Sequence, residues 1–301
     1  MNQPASTSSY RTTEVQVRGG TLHTALWGPE DPAALTILAV HGVTASHKAW
    51  PALAEALPDV RIIAPDLRGR GRSNALPAPY GMPSHAEDLA AVLDALSTGP
   101  VVVVGHSMGA FVSVVLANLF PERVRSLVLV DGGLPLQVPA ELSDEQVIAT
   151  VLGPAAERLN ATFPSREAYR SYWRQHPAFS ADWSPLVEEY VDYDLTGEEP
   201  VLRPATRYQA MADDTAELHR GPSLLKALDE LAVETLVLRA PRGLLDEPGG
   251  LYGPGYLDAW AEKLPALTVR EIPDVNHYTI IMGAAGAAAV ADTVREALAV
   301  A

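Results

Sequence analysis

The chain has 301 residues, of which 48% are hydrophobic and 20% charged, a composition that is ordinary for a globular protein. Its net charge of −15 at pH 7 disfavours nucleic acid and anionic membranes as partners and favours a small neutral or cationic molecule. The absence of cysteine excludes disulfides, a thiolate nucleophile and a cysteine-ligated metal.

The first elements follow a polar N-terminal segment. Residues 1–11 lack the apolar core of a signal peptide and predict the flexible tail of a cytoplasmic protein. Residues 12–27 are typical of two strands joined by a Gly-Gly turn. Residues 35–40 and 60–64 are continuous apolar runs, which predict strands buried on both faces of a sheet. No run approaches the roughly 20 apolar residues of a membrane-spanning helix.

Helices and strands alternate through the next part of the chain. A helix is predicted to begin at Ser84, because Ser84 and Glu87 have the spacing of a capping box. Residues 101–105 (VVVVG) and 126–131 (SLVLVD) predict two more buried strands, with a helix at 108–119 between them. This alternation indicates an α/β fold whose parallel sheet is covered by helices on both faces.

A long insertion interrupts the alternation. Residues 136–231 contain no strong strand pattern and predict a helical lid inserted between two strands of the sheet. The sheet resumes with apolar runs at 235–240 and 267–272, and an Ala-rich helix closes the chain. The predicted domains are therefore a core of residues 12–135 and 232–301 and the lid between them.

One serine, Ser107, lies in the motif GHSMG between the predicted strand 101–105 and the predicted helix 108–119. A Gly-x-Ser-x-Gly motif in that context is typical of a nucleophile elbow, in which the two glycines permit a tight turn beneath the serine. A serine hydroxyl is a weak nucleophile and needs a general base, an acid that orients the base, and donors for the oxyanion. Ser107 is therefore a candidate nucleophile.

Candidates for the accompanying groups lie in loops at one edge of the predicted sheet. His277 follows a late strand, at the carboxyl edge where α/β active sites form, and is the candidate base. The backbone N–H of Met108, directly after the serine, is one candidate oxyanion donor. The N–H of Val43, in the loop HGVTASHKAW, is the other.

The order of these motifs resembles the α/β-hydrolase superfamily. HG (41–42), DLRGRGRS (66–73), GHSMG (105–109) and the late His277 occur in the same order as in that superfamily. The chain is most similar to its lidded esterase, lactonase and carbon–carbon-bond hydrolase branch. The resemblance implies an α/β-hydrolase fold, with a mostly parallel central sheet, helices on both faces and an inserted helical lid.

The resemblance leaves the triad acid open between two residues. Family members most often carry it after the strand that follows the lid, where Asp246 lies two or three residues beyond the usual place. Other members carry it at the end of the strand before the lid, where Asp131 lies, and Asp274, in the loop of the base, is a third candidate. The resemblance also implies that Asp66 and Arg68 order the loop beside the oxyanion hole.

Together these residues predict a serine hydrolase without cofactor or metal, which cleaves a carboxylic ester or lactone of a small, largely hydrophobic molecule. Carbon–carbon bond hydrolysis and a type II-like thioesterase activity would use the same triad. From another class, a ligand receptor with little turnover remains open. The protein is predicted to be a monomer or homodimer. The residues predicted to contact substrate are His41, His47, Trp50, Trp173 and Tyr278.

Overall fold

A central sheet of eight strands organises the fold in a computed structural model, which describes residues 9–96, 98–139 and 141–300. The described residues form ten strands, eight in this sheet and two in a separate pair: β1 (Arg11–Val17), β2 (Gly20–Trp27), β3 (Thr36–Val40), β4 (Arg61–Pro65), β5 (Val101–His106), β6 (Val124–Val130), β7 (Leu195–Glu198), β8 (Val201–Pro204), β9 (Thr235–Arg239) and β10 (Leu267–Glu271). Their order in the sheet is β1-β2-β4-β3-β5-β6-β9-β10, and β7 pairs with β8 separately. The pairs β1–β2 and β2–β4 are antiparallel and all other pairs of the sheet are parallel, which confirms the predicted fold class.

Both faces of the sheet are covered by helices, because alternate residues of a strand point to opposite sides. Val101 and Val103 join one hydrophobic cluster, whereas Val102 and Val104 join the other. The helices are α1 (Pro51–Ala56), α2 (Met82–Ala95), α3 (Met108–Leu119), α4 (Asp144–Val151), α5 (Pro154–Leu159), α6 (Arg166–Arg174), α7 (Pro185–Tyr193), α8 (Tyr208–Glu217), α9 (Pro222–Asp229), α10 (Tyr256–Lys263), α11 (Thr279–Met282) and α12 (Ala284–Ala299). α3 packs against α2 and α9 on one side of the sheet, and α12 packs against α1 and α11 on the other.

Helix α2 begins before the predicted capping box. Its N-cap is Gly81, whose φ of 95° is accessible to glycine, so Ser84 lies inside the first turn. Carboxylates of α8 replace a local cap: Asp214 accepts a hydrogen bond from the N–H of Gly81 at 2.6 Å, and Glu217 accepts one from Met82 at 2.8 Å. The predicted start at Ser84 is wrong because the orphan N–H groups are satisfied from more than a hundred residues away in the chain.

The insertion lies between β6 and β9, which are parallel neighbours in the sheet. It contains α4 to α9 and also the β7–β8 hairpin, whose two strands the sequence did not predict. Each strand is only 4 residues long, and neither LTGE nor VLRP carries an apolar alternation that would reveal it. α9 packs against α3, so the last helix of the predicted lid lies in the layer that covers the sheet.

The N-terminal segment is attached to the sheet from residue 9 onwards, while residues 1–8 of the predicted tail lie outside the described residues. The Ser9 hydroxyl donates a hydrogen bond to the carbonyl oxygen of Gly28 at 2.9 Å. β1 then begins at Arg11, so the predicted tail extends too far into the chain. Among the helices of the described residues, none combines the length and the apolarity that crossing a membrane requires.

Candidate active site

Ser107 occupies a strained turn between β5 and α3. Its φ is 53°, a value that residues with a side chain rarely adopt. Gly105 and Gly109 make the turn possible: a Cβ on Gly105 would lie 2.5 Å from the carbonyl oxygen of Gly109, and one on Gly109 would lie 2.0 Å from that of Val40. The predicted elbow geometry is therefore present, and α3 begins directly after the serine with its N-terminus at this turn.

His277 is paired with the fully buried Asp131. The Nδ1 of His277 lies 2.6 Å from the Oδ2 of Asp131, and the other carboxylate oxygen accepts a hydrogen bond from the N–H of Ala240 at 3.1 Å. Because Nδ1 donates to the carboxylate, the neutral imidazole carries its lone pair on Nε2. Asp131 itself has a φ of 46° at the end of β6, where the chain turns towards the elbow.

The loop after Asp131 touches the serine turn closely. A Cβ on Gly132 would lie 2.3 Å from the carbonyl oxygen of Ser107, so only glycine allows this approach. The N–H of Ser107 donates to the carbonyl oxygen of Val130 at 3.0 Å. The elbow and the strand that carries Asp131 are thus fixed to each other through the backbone.

The two other candidate acids point elsewhere. Asp246 accepts a hydrogen bond from the side-chain amide of Asn276 at 2.9 Å and forms an ion pair with Arg242 at 2.9 Å. Asp274 is exposed, and its carbonyl oxygen accepts a hydrogen bond from Arg242. Of the three carboxylates, Asp131 is the one bonded to His277.

Asn276, which sequence reasoning missed, shapes the turn that carries His277. Its side-chain oxygen accepts hydrogen bonds from the N–H groups of Tyr278 at 3.0 Å and Thr279 at 2.9 Å. Its amide donates to the carbonyl oxygen of Ala178, in the insertion, at 3.0 Å. The sequence PDVNHYT contains the signal, because asparagine before a helix start commonly bonds the following backbone.

His106 holds the backbone of His277. Its Nε2 donates to the carbonyl oxygen of His277 at 2.8 Å, and the centres of the two rings are 4.7 Å apart. Burial, together with the nearby His277, keeps the pKa of His106 well below the usual value for histidine. A neutral ring therefore stands beside the candidate base.

Ser107 and His277 line the same small cavity, whose volume is about 40 Å³. Most of its walls are apolar, and core and insertion both contribute: the lining residues are Gly42, Val43, Thr44, Ala45, Ala49, His106, Ser107, Leu152, Ala155, Tyr190, Leu244, His277, Tyr278 and Ile281. A second cavity of about 280 Å³ shares Leu152, Ala155, Leu244 and Tyr278 with it. The cavities are therefore adjacent.

The loop predicted to supply an oxyanion donor passes directly against the serine. A Cβ on Gly42 would lie 3.4 Å from the Oγ of Ser107. The next residue, Val43, lines the cavity, and its carbonyl oxygen accepts a hydrogen bond from the Nε of Arg70 at 2.9 Å. Met108, the other predicted donor, is the first residue of α3.

Two buried side chains of the segment DLRGRGRS brace this loop. Asp66 accepts a hydrogen bond from the N–H of His47 at 2.9 Å. Arg68, which was predicted to order the same loop, instead pairs with Asp88 and donates to the carbonyl oxygens of Arg18 and Pro77. Arg70, which sequence reasoning did not single out, reaches the carbonyl oxygen of Val43 and is itself paired with Asp214. Its position two residues after Arg68 in a buried Arg-Gly repeat is the signal that could have found it.

Of the five residues predicted to contact substrate, Tyr278 lines the cavity and the other four do not. His41 is fully buried, and its ring bonds the carbonyl oxygen of Gly42 at 2.8 Å and the N–H of Leu67 at 2.9 Å. Burial lowers the pKa of His41 to about 4, so the ring is a neutral structural bridge.

The other three residues predicted to contact substrate are also buried outside the cavity lining. His47 is fully buried and donates to Asp66 at 2.9 Å. Trp50 and Trp173 both lie inside the hydrophobic cluster on the α12 side of the sheet, where Trp173 packs edge-on against Phe179 and Tyr190. Their large apolar area is buried in the core rather than offered to a ligand.

The chain belongs to the α/β-hydrolase fold family, whose model matches residues 36–284. Lipase LipV of Mycobacterium tuberculosis is 45% identical over 115 residues, which are 38% of this chain and 43% of that protein. The 2-(acetamidomethylene)succinate hydrolase of Mesorhizobium japonicum is 28% identical over 250 residues, covering 80% of this chain and 81% of that protein.

A crystal structure of E-2-(acetamidomethylene)succinate hydrolase has the same fold. It superimposes with a TM-score of 0.76 at 22% identity and covers 96% of this chain and 97% of the other. At this level of identity the likeness concerns the fold, and the chemistry has to be argued from the site itself.

Proposed function

We propose that this protein is a serine hydrolase that cleaves a carboxylic ester or lactone of a small, largely hydrophobic molecule. One observation carries the proposal: the buried Asp131–His277 pair opens into the cavity whose lining includes Ser107 on its strained elbow. A serine, a histidine and a carboxylate in these relations form the arrangement of nucleophilic acyl transfer.

In the proposed mechanism, Ser107 attacks the substrate carbonyl while the Nε2 of His277 takes its proton. Asp131 keeps the proton of the neutral imidazole on Nδ1 and stabilises the imidazolium that forms. The backbone N–H groups of Val43 and Met108 receive the oxyanion. His277 then protonates the leaving alcohol, and afterwards it takes a proton from the water that attacks the acyl-enzyme.

The lining supports a substrate without strong charge. Among the lining residues that the structure describes, none is Lys, Arg, Asp or Glu. A dicarboxylate substrate such as succinate derivatives would enter this cavity without a cation to pair with, and such desolvation is costly. An uncharged ester or lactone meets mostly apolar walls, which include Tyr190 and Tyr278.

The alternatives that share the triad are separated by substrate chemistry. An acyl-enzyme forms with esters, lactones and thioesters, so turnover of matched oxygen and sulfur esters ranks these substrates against one another. Hydrolysis of a carbon–carbon bond requires a leaving group that departs as a carbanion equivalent. Turnover of an activated ester would therefore not detect that activity. A receptor with little turnover would bind ligand with a kcat near the uncatalysed rate.

The test is intact-mass analysis after treatment with a fluorophosphonate probe, on wild type, Ser107→Ala, Asp131→Asn and Asp246→Asn. We expect one adduct on wild type, none on Ser107→Ala, slow labelling of Asp131→Asn and wild-type labelling of Asp246→Asn. Labelling of Ser107→Ala at the wild-type rate would contradict the assignment of the nucleophile. Absence of any adduct on folded wild type would favour the receptor.

A further inference from the structure

A second cluster of histidine and carboxylate groups lies outside the catalytic cavity. His23, His47 and Asp66 bring one possible ligand atom each to within 4.8 Å of one another. His23 comes from β2, His47 from the oxyanion loop and Asp66 from the residue that follows β4, so no short spacing in the sequence predicts the cluster. His47 and Asp66 are fully buried, while the side chain of His23 is 15% exposed and gives access from solvent.

We propose that these three residues bind a divalent transition-metal ion such as Zn²⁺. The donor set is two imidazole nitrogens and one carboxylate oxygen, which suits Zn²⁺ and its neighbours in the first transition row. Ca²⁺ and Mg²⁺ prefer sets made of oxygen atoms and are disfavoured here. The sequence predicted no metal, because that prediction considered ligands related by short spacings.

The position for the ion lies between His47 and Asp66. The Nδ1 of His47 and the Oδ1 of Asp66 are 2.9 Å apart and share one proton. An ion in place of that proton would use the lone pairs that already converge there. The displaced proton has a place on the Nε2 of His47, which lies 3.0 Å from the hydroxyl oxygen of Tyr10 and would donate to it.

The surroundings hold the ligands in orientation. The second oxygen of Asp66 accepts hydrogen bonds from the N–H of Arg72 at 2.8 Å and from the hydroxyl of Tyr193 at 2.7 Å. The Nδ1 of His23 donates to Glu14 at 2.6 Å, which leaves Nε2 of that ring as the ligand atom. A carboxylate behind a ligating histidine is a recurrent arrangement in metal sites, where it fixes the ring and raises its basicity.

The test is isothermal titration of the full chain, treated beforehand with chelator, with ZnCl₂. We expect one Zn²⁺ per chain for wild type and affinity at least about 100-fold weaker for His23→Ala, which removes a ligand. Glu14→Gln should weaken binding by roughly tenfold, as is usual for a group behind a ligand. His176→Ala, which removes a partly buried imidazole outside the cluster, is the matched control and should bind as wild type does.

Three outcomes would overturn the proposal: no zinc binding by folded wild type, equal affinity for wild type and His23→Ala, or an equal loss in His176→Ala. Circular dichroism identifies any variant that has lost its fold, and Glu14→Gln, on the exposed side of His23, then provides the second variant. Titration with CaCl₂ adds a further check, because tight calcium binding would contradict nitrogen ligation. The readout is metal binding, so it is independent of the hydrolase activity.

Discussion

Among the pairs of a buried histidine and a buried aspartate in the described residues, Asp131–His277 and Asp214–His85 differ in what surrounds the pair. In the first, His277 donates to Asp131 at 2.6 Å and lines the catalytic cavity. In the second, His85 inside α2 donates to Asp214 of α8 at 3.0 Å, and both side chains are inaccessible to solvent. Pairing and burial alone therefore do not make a base; a neighbouring cavity and a nucleophile are also required.

The charges around the two aspartates differ as well. Asp214 has a permanent cation, because Arg70 lies 2.5 Å from its Oδ2. Within the described part of the chain, the side chain of Asp131 bonds the backbone N–H of Ala240 and the ring of His277. Asp131 thus gains a full counter-ion only when His277 becomes an imidazolium, which is the moment at which the proposed reaction needs it. Asp214 therefore belongs to a buried ion pair, whereas Asp131 would gain a cationic partner only in the proposed reaction.

The largest expected effect is a loss of kcat on substitution of Asp131. Asp131→Asn should lower kcat by about 10,000-fold, because an asparagine no longer stabilises the imidazolium and favours the wrong tautomer of His277. Steady-state hydrolysis of an activated ester measures this change.

Asp246→Asn is the matched control, because it removes a carboxylate from the neighbouring loop without touching His277. We expect its kcat to stay close to that of wild type. An equal loss of kcat in the two variants would mean that Asp131 has no special relation to the base.

The corresponding change in the second region should affect stability and spare the chemistry. Asp214→Asn leaves Arg70 and His85 buried without their carboxylate, so the free energy of unfolding should fall by about 3 kcal/mol. Urea denaturation measures the loss. The rate of fluorophosphonate labelling per folded molecule should change little, and a 1000-fold drop (on the order of removing a triad member) would place Asp214 in the catalytic machinery.

The stabilisation that Asp214 contributes should depend on pH. Burial alone would raise the pKa of Asp214, but His85 and Arg70 outweigh it and hold the pKa at about 2, against about 3.9 for an unfolded aspartate. The charge of Asp214 therefore stabilises the fold above about pH 4, and this stabilisation is lost as the pH falls towards 2. The stability difference between wild type and Asp214→Asn should shrink over that interval, as followed by urea denaturation at each pH. A difference that stayed constant would mean that the carboxylate carries no charge-dependent stabilisation.

A smaller loss of kcat is expected from substitution of His106, which bonds the backbone carbonyl oxygen of His277 and not its ring. His106→Leu removes that hydrogen bond, and a loss of about 1.4 kcal/mol in positioning corresponds to a kcat about tenfold lower. His106→Gln keeps a donor near the position of Nε2 and should recover most of the rate. Equal rates for the two variants would argue that the ring matters only through its volume.

The parts of the fold that depend on local pattern were predictable. Buried strands appear as apolar runs, and the elbow appears as a serine between two glycines at the junction of strand and helix. The order of the motifs then predicted a mostly parallel sheet and identified His277 as the candidate base. The cytoplasmic location, the monomeric or homodimeric state and the domain boundaries stay predictions.

Features that depend on distant contacts were not predictable from the sequence. The start of α2 is fixed by carboxylates of α8, whereas the local sequence favours Ser84. The choice between Asp131 and Asp246 depends on the path of the loop after β9, where Asp246 turns to Asn276 instead of His277. Trp50 lies in the oxyanion loop and Trp173 in the insertion, and the sequence does not show that three-dimensional packing buries both in the core.

The hydrogen bond between the Oδ1 of Asp131 and the N–H of Ala240 joins residues 109 positions apart, one before and one after the insertion. During synthesis, the elbow and Asp131 emerge long before Ala240, so this hydrogen bond cannot form until the whole insertion has been made. Closing so long a segment is among the slow steps of folding. His277 follows Ala240 in the chain, so the proposed triad is complete only after both residues have been made. We therefore expect hydrolytic activity to be the last property that the nascent chain acquires.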